Sequence, residues 1–156
     1  VSDQILKAQH DALLKIYQLY PNLYKAESII KSIKDEVEEL AIRLKKNSQV
    51  PKTILDEVNL LINKIEIIQG HQHNNNENNL EMIKRNFMSL YNDIKRFPKM
   101  PSEKQNQQIT KSKAELVNII NKINKLIEVD IPRLNEILVE SNIPYLNPRK
   151  KINNIK

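Results

Sequence analysis

Residues 51–70 read PKTILDEVNLLINKIEIIQG, and the last of them, Gly70, is the single glycine of this 156-residue chain. Apolar side chains recur at steps of three and four residues from Ile54 to Ile68, which predicts an amphipathic helix. Pro51 suits the first turn of a helix, and Gly70 suits the position just after the last turn. The segment therefore predicts a helix about half as long as the helical pattern that precedes it.

The preceding pattern predicts one long helix. It begins at Ser2, a residue type that caps helix N-termini, and its apolar spacing continues to Asn47. Pro21 interrupts the pattern, because a proline lacks the N–H that would bond to the carbonyl four residues earlier. We expect Pro21 to kink this first helix, or to split it briefly, near Tyr20.

Two further helices complete the pattern. Residues 71–79 are rich in Asn and His and predict a polar loop, after which apolar spacing predicts a short third helix over about 80–96. The fourth helix is predicted from Ser102, which a glutamine follows three residues later as in a capping box, to about Ser141. Pro132 lies within this helix and predicts a kink or a restart.

These lengths predict an all-α fold with long outer helices and short inner ones. A rise of about 1.5 Å per residue makes the first and fourth helices ~60 to 65 Å long and the other two ~25 to 28 Å long. Short loops favour antiparallel neighbours, so we expect an up-down-up-down four-helix bundle. The outer helices would extend beyond it as a two-helix stalk that pairs residues 2–24 with residues 127–141. Residues 1–141 are predicted as one helical domain, and residues 142–156 as an extended basic tail that frays.

The first helix carries two apolar faces within the predicted stalk. Only one of them can be buried against the other stalk helix, so the second needs the tail, another domain or another protein. Tyr17, Tyr20 and Tyr24 share a face that suits either the core of the stalk or a contact patch, because tyrosine is enriched both at wet core edges and at interfaces. The candidate partner-contact residues are Leu6, Leu13, Tyr17, Tyr20, Tyr24, Ile143 and Tyr145.

The composition argues against several classes of function. The chain has no cysteine, so it can form no disulfide and offer no thiolate. No apolar run reaches the ~20 residues of a membrane span, so membrane insertion is not expected. The net charge of +6 comes mostly from scattered lysines rather than from the arginines that recognise bases and phosphates, so no nucleic-acid partner is expected. Val1 is neither an initiator methionine nor part of a signal peptide, and we expect it to follow a cut in a longer chain.

No set of side chains in the sequence predicts catalysis, a metal site or a cofactor site. His71 and His73 could share an ion, but solvated histidines are the expected arrangement in a polar loop. Glu36 and two nearby glutamates predict a solvated helix face with i,i+4 ion pairs rather than a general acid. Asn124 and the asparagines three and six residues before it are interpreted as surface residues. We therefore expect that this segment is not an enzyme.

Two stretches of the sequence resemble a known family. The first is residues 1–13, VSDQILKAQHDAL, together with Ile33-Lys34-Asp35 and Leu40, and the second is residues 127–135, IEVDIPRLN, with Ile143-Pro144. They are similar to the C-terminal helical region of large secreted bacterial proteins with sortilin-type (BNR, VPS10-like) β-propeller repeats, which are often labelled glycosyl hydrolases or exo-sialidases. The resemblance implies a module attached to a propeller through a short β domain, in a protein of the cell surface, the periplasm or the extracellular space. It transfers no catalytic residue to this segment, because such residues would lie in the propeller.

Two functions from different classes follow from these observations. The first hypothesis is a non-catalytic helical interaction module that docks through the stalk onto its own upstream domain or onto a separate surface or secretion protein. The alternative is a ligand-sensing extracytoplasmic four-helix bundle, which would need a pocket lined with polar residues between its helices. A third possibility, lipid binding by opened amphipathic helices, is disfavoured by the mixed charge of the polar faces.

Overall fold

The computed structural model describes residues 1–71 and 78–155, and over those residues the protein is all-α, without a strand, as predicted. Breaks between helices fall near Pro21, Pro51, Gly70 and Pro98, and each predicted helix starts within a few residues of its predicted position. The elements are α1 (Asp3–Tyr17), α2 (Tyr20–Lys45), α3 (Lys52–Gln69), α4 (Leu80–Lys95), α5 (Glu103–Lys125), a π-helical turn (Leu126–Asp130) and α6 (Ile131–Glu140).

The two prolines that lie within long helical patterns have different effects. The predicted split near Tyr20 is confirmed, since α1 ends at Tyr17 and α2 starts at Tyr20 with Pro21 in its first turn. At Pro132 the helix neither stops nor restarts. It passes through the π-helical turn, in which the Ile131 N–H donates to the Leu126 carbonyl. The wider turn keeps the path helical next to a residue that has no N–H to donate.

The end of α3 requires a glycine. Gly70 has a φ of 93° in the left-handed region, and its N–H donates to the Glu66 carbonyl at 3.0 Å. A Cβ at this position would lie 2.7 Å from Cγ of Asn79. Asn79 is the N-cap of α4, and its Oδ1 accepts from the Met82 N–H at 2.9 Å. The C-terminus of α3 and the N-terminus of α4 thus meet at one close contact, here called the joint (Gly70 and Asn79).

Contacts along the chain show which way the helices run. Gln9 of α1 donates to the Ile94 carbonyl of α4 at 2.7 Å. Further along, the rings of Tyr20 and Phe87 lie 5.8 Å apart. Beyond the joint, Lys34 of α2 lies 3.9 Å from Glu66 of α3. α3 and α4 therefore follow one another in the same direction, and both are antiparallel to the long α1–α2 segment.

The molecule accordingly has three long antiparallel rods. The first rod is α1–α2 (residues 3–45), and the second is α3–α4 (residues 52–95). The third rod is α5, the π-helical turn and α6 (residues 103–140), which returns beside α4 and then beside α3. Lys64 of α3 and Asp130, 3.5 Å apart, mark that return.

The predicted stalk is wrong. α1 packs against α4 and α5, and α6 packs against α3, so residues 2–24 are not paired with residues 127–141. The third predicted helix does not run back along the second, because the joint aligns α3 and α4 end to end. The two short helices in series then cover the first rod along its length, and no two-helix extension is left.

The core is aliphatic, as the scarcity of aromatic residues predicts, and among the described residues Phe87 is its one fully buried aromatic side chain. The tail differs from its expectation. Residues 142–155 form no helix, but they lie on the bundle and do not fray, since Leu146 and Ile152 are each only 2% exposed and belong to the core cluster.

Candidate interaction surfaces

A line of apolar and aromatic side chains follows the groove between α1–α2 and α4. The first-rod residues recur at steps of three, four and seven, which place them on one face across the α1–α2 break. The α4 residues that follow the same groove recur at the same steps. We call this surface the tyrosine seam, and it comprises Leu6, Leu13, Tyr17, Tyr20, Tyr24, Lys84, Met88, Tyr91 and Lys95.

The tyrosine seam is held by ring contacts and lysines. The Tyr20 ring meets the edge of Phe87 at 5.8 Å and 79°, and it lies 5.8 Å from the ring of Tyr24. Lys84 Nζ sits 5.7 Å from the centre of the Tyr24 ring and 3.5 Å from the Glu27 carboxylate. Edge-to-face and cation–π contacts of this kind each add about 0.5 to 1.5 kcal/mol to the apolar packing. The seam is therefore a built surface on paired helices rather than a row of mobile side chains.

Part of the seam faces outward without cover. Tyr17 is 64% exposed, Tyr24 52% and Leu6 46%. Leu13 and Tyr20 are half-buried and pack against the core. The surface thus presents two exposed tyrosines, Tyr17 and Tyr24, next to the half-buried Leu13 and Tyr20, and tyrosine is enriched at protein contacts.

The hydroxyl of Tyr20 remains protonated over the physiological pH range. Burial raises the pKa of this phenol above its ordinary value of 10.0, and the neighbouring phenols of Tyr24 and Tyr91 act in the same direction. A neutral hydroxyl donates one hydrogen bond and accepts others without the cost of burying a charge. The chemistry offered by the seam is therefore apolar contact and hydrogen bonding.

The two candidates from the tail do not join this surface. Ile143 lies just after α6 and caps its C-terminus, because its N–H donates to the Leu138 carbonyl at 2.9 Å while Asn142 adopts a left-handed φ of 58°. Tyr145 is 61% exposed and lies beside α6. The tail covers α2 and the third rod rather than α1, so the second face of α1 is not closed by the tail.

The tail lies in a channel that we call the tail groove, between α2 and the third rod. The side-chain amide of Asn135 donates to the Leu146 carbonyl at 2.9 Å and accepts from the Leu146 N–H at 2.7 Å. The side-chain amide of Asn124 likewise donates to the Ile152 carbonyl at 2.9 Å and accepts from the Ile152 N–H at 2.7 Å. Each amide satisfies both backbone groups of one tail residue, as a neighbouring β-strand would.

The opposite wall of the tail groove is acidic. Glu36 Oε2 accepts from Nη2 of Arg149 at 2.6 Å, and Oε1 accepts from the Asn147 N–H at 2.5 Å. Arg149 Nη2 also lies 3.2 Å from the Ser32 hydroxyl. The side chains of Glu36 and Arg149 are each 19% exposed, so this ion pair is largely withdrawn from water and weakly screened.

Sequence reasoning missed the tail groove. Asn124 is not a free surface residue, and Glu36 binds the tail rather than only solvent. A signal was present in the tail itself, since Leu146, Arg149 and Ile152 are spaced by three. Three residues per turn is the repeat of the polyproline II helix, and the prolines of the tail favour that conformation.

A polar cleft of about 370 Å³ opens beside the joint, between α2, α3 and α4. Lys34 Nζ lies there 3.7 Å from Glu38 and 3.4 Å from Nδ1 of His71. Within the described part of the chain, Oε1 of Gln69 is buried in this region without a hydrogen-bond partner. His73, which could share an ion with His71, lies outside the described residues.

Neither a metal-ligand cluster nor a membrane-spanning helix occurs among the described residues. Residues 1–71 and 78–155 contain no group of three or more His, Cys, Asp or Glu placed to hold a metal ion. No helix within those ranges has the length and apolarity needed to cross a bilayer.

No family model, no curated protein and no solved structure matches this chain. The similarity to sortilin-type propeller proteins therefore remains a prediction from the sequence. A function can therefore be inferred only from the tyrosine seam, the tail groove and the cleft beside the joint.

Proposed function

We propose that the chain is a non-catalytic helical interaction module that contacts a protein partner through the tyrosine seam. The observation that carries this proposal is the exposure of Tyr17 and Tyr24 on the first rod, where the Tyr20 ring packs against the rings of Tyr24 and Phe87. Tyrosine is enriched among residues that dominate binding energy, because it buries a large rigid ring at low entropic cost. The packing of Tyr20 against Phe87 holds the surface rigid, which lowers the entropic cost of binding further.

The charge at the edges of the seam defines the kind of partner. Lys84 and Lys95 lie beside the rings of Tyr24 and Tyr91, with their ammonium groups 5.7 and 5.9 Å from the ring centres. An apolar protein surface with carboxylates at its rim would complement this arrangement. In line with the sequence resemblance, we place the module in an exported or cell-surface bacterial protein, where the partner is its own upstream domain or a separate surface or secretion protein.

Site-specific crosslinking tests the proposed contact surface. We would replace Tyr17, and separately Tyr24, by p-benzoylphenylalanine and irradiate the cells that produce the protein. Leu60 on α3 is the matched control, because it is also an exposed apolar residue, at 57%. The same protein should be crosslinked from both tyrosine positions and not from Leu60. No crosslink above the Leu60 level would contradict the proposal.

Substitution then tests whether the tyrosines contribute to binding. The double change Tyr17→Ser and Tyr24→Ser should weaken binding of the crosslinked partner at least tenfold in a titration, whereas Tyr145→Ser should leave it unchanged. Equal affinity for both variants would contradict the role of the seam. Turnover of glycoside substrates by the purified chain of residues 1–156 would contradict the proposal that this segment is not catalytic.

The cleft beside the joint favours a second candidate, a ligand-sensing domain. Its walls carry charges of both signs, and the buried Oε1 of Gln69 could accept a hydrogen bond from a polar solute. A thermal-shift screen of amino acids, small carboxylates and sugars would test it. A shift that Gln69→Ala abolishes would support sensing, and no shift with any solute would count against it.

A further inference from the structure

The tail groove recognises an extended backbone, whatever side chains it carries. The paired bonds of Asn135 to Leu146 and of Asn124 to Ile152 use only the N–H and C=O of the tail residue. The side chains of Leu146 and Ile152 are buried, at 2% exposure each, and belong to the core cluster. The groove thus combines two backbone clamps with two apolar anchor sites.

The distance between the clamps fits an extended peptide. Asn124 and Asn135 are 11 residues apart on the third rod, which corresponds to about 16 Å of helix. Leu146 and Ile152 are six residues apart, which corresponds to about 19 Å of polyproline II chain. The two spans agree to within one residue of extended chain, and six residues are two full turns of that conformation, so Leu146, Arg149 and Ile152 all face into the groove.

A basic residue is recognised midway between the anchors. Arg149 is three residues from each of them, and Glu36 and Ser32 on α2 bind its guanidinium at 2.6 and 3.2 Å. A carboxylate that is largely withdrawn from water discriminates strongly against a neutral or acidic residue at this position. The groove therefore selects an extended segment with the pattern Φ-x-x-Arg-x-x-Φ, where Φ is aliphatic.

The tail can leave the groove without unfolding α6. The end of α6 is capped by two bonds, from Asn142 to the Val139 carbonyl at 3.1 Å and from Ile143 to the Leu138 carbonyl at 2.9 Å. These two bonds and the left-handed φ of Asn142 form a Schellman motif, which lies entirely before the first anchor. From Pro144 to Ile155 the tail has no secondary structure of its own, and the groove supplies the contacts that hold it.

We propose that the tail groove is a peptide-binding site for an extended segment of another protein with the Φ-x-x-Arg-x-x-Φ pattern, and that the tail is its intramolecular occupant. A tethered occupant acts at an effective concentration in the millimolar range, so it suppresses binding of a free peptide until it is displaced. The proposal concerns a different surface from the tyrosine seam and does not depend on it.

The test uses the full-length chain and a fluorescein-labelled peptide of residues 142–155 as the probe. An open-tail variant, with Leu146→Asp and Ile152→Asp in the chain only, removes both anchors of the tethered tail and leaves the groove intact. Fluorescence anisotropy should show that the open-tail variant binds the probe at least tenfold more tightly than the unaltered chain. Equal binding would overturn the proposal.

Further substitutions assign the binding to the groove. In the open-tail chain, Asn124→Ala, Asn135→Ala and Glu36→Gln should each weaken probe binding at least fivefold, whereas Asn118→Ala, an exposed asparagine of α5, should not. In the probe, Arg149→Ala should weaken binding and Lys150→Ala should not. Indifference to the asparagine and glutamate changes would overturn the proposal.

Two measurements on the unaltered chain keep the proposal testable if the open-tail variant does not fold. Adding the unlabelled peptide should accelerate hydrogen exchange at the Leu146 and Ile152 amides of the chain, and unchanged exchange at millimolar peptide would overturn the proposal. Light scattering distinguishes the other occupant. A dimer of the full chain that Asn124→Ala with Asn135→Ala dissociates would assign the groove to the tail of a second copy, and would overturn its assignment to another protein.

Discussion

The tyrosine seam and the tail groove both follow the first rod, but one is open and the other is filled. Along the seam, aromatic side chains from α1, α2 and α4 fill the space between the helices themselves and leave a broad outer surface. Along the tail groove, Ser32, Asn124 and Asn135 are short, so a channel remains that an additional chain must occupy. The comparison teaches that side-chain size decides whether a helix–helix groove becomes a surface or a channel.

The largest effect is expected from a substitution of Phe87, which lies beneath the tyrosine seam. Phe87 is 1% exposed and meets the Tyr20 ring, so Phe87→Ala leaves a cavity between the first and second rods. We expect the free energy of unfolding to fall by about 3 to 5 kcal/mol, measured by urea denaturation followed by circular dichroism. Met88→Ala is the matched control, because Met88 is 50% exposed and should change stability by less than about 0.5 kcal/mol. A loss below about 1 kcal/mol for Phe87→Ala would show that the aromatic side chains do not fill this groove.

A smaller and local effect is expected in the tail groove. Ile152→Ala removes a buried anchor worth about 2 kcal/mol or more, but the tail can detach while the rods stay folded. The exchange protection of the Leu146 and Ile152 amides should therefore fall, while that of α4 amides stays unchanged. Lys150→Ala, an exposed neighbour, should alter neither. Equal loss of protection in α4 would mean that the tail is part of the cooperative unit and not an exchangeable occupant.

The smallest expected effect is the pH dependence of the seam. Because folding raises the pKa of Tyr20 above 10.0, the unfolded chain loses this proton at a lower pH than the folded chain does. The contribution of Tyr20 to stability is therefore complete below pH 10, and it is lost as the pH rises through 10 towards the folded pKa. The chain with Tyr20→Phe keeps the ring contacts but does not titrate, so its stability should decline less between pH 9 and pH 11. Parallel declines of both chains in urea titrations would contradict this expectation.

The sequence predicted the helices better than their arrangement. Gly70, Pro21 and the capping pair Ser102 and Gln105 act within one turn of the chain, so their effects can be read locally. Ser102 and Gln105 form the predicted capping box, with bonds of 2.9 and 3.0 Å. The direction of α4 depends instead on the contact between Gly70 and Asn79 across a polar loop, and no periodicity encodes such a contact.

In the candidate surfaces, too, local features were predicted and long-range contacts were not. The steps of three, four and seven residues that group Tyr17, Tyr20 and Tyr24 are a property of one helix, so the sequence predicted their common face. The partners of Glu36 and Asn124 are 113 and 28 residues away, at Arg149 and Ile152. A bond to a residue that is distant in the sequence does not appear in the local sequence pattern, which is why both residues were interpreted as solvated.

The joint between Gly70 and Asn79 also bears on how quickly the chain can fold. It separates two helical hairpins, α2–α3 and α4–α5, whose partners are neighbours in sequence and share the most extensive helix contacts of the molecule. Such local contacts close short loops, so each hairpin can form on the microsecond to millisecond timescale before the two meet. Because a Cβ at Gly70 would clash with Asn79, we expect a substitution at this glycine to hinder the docking of the two hairpins.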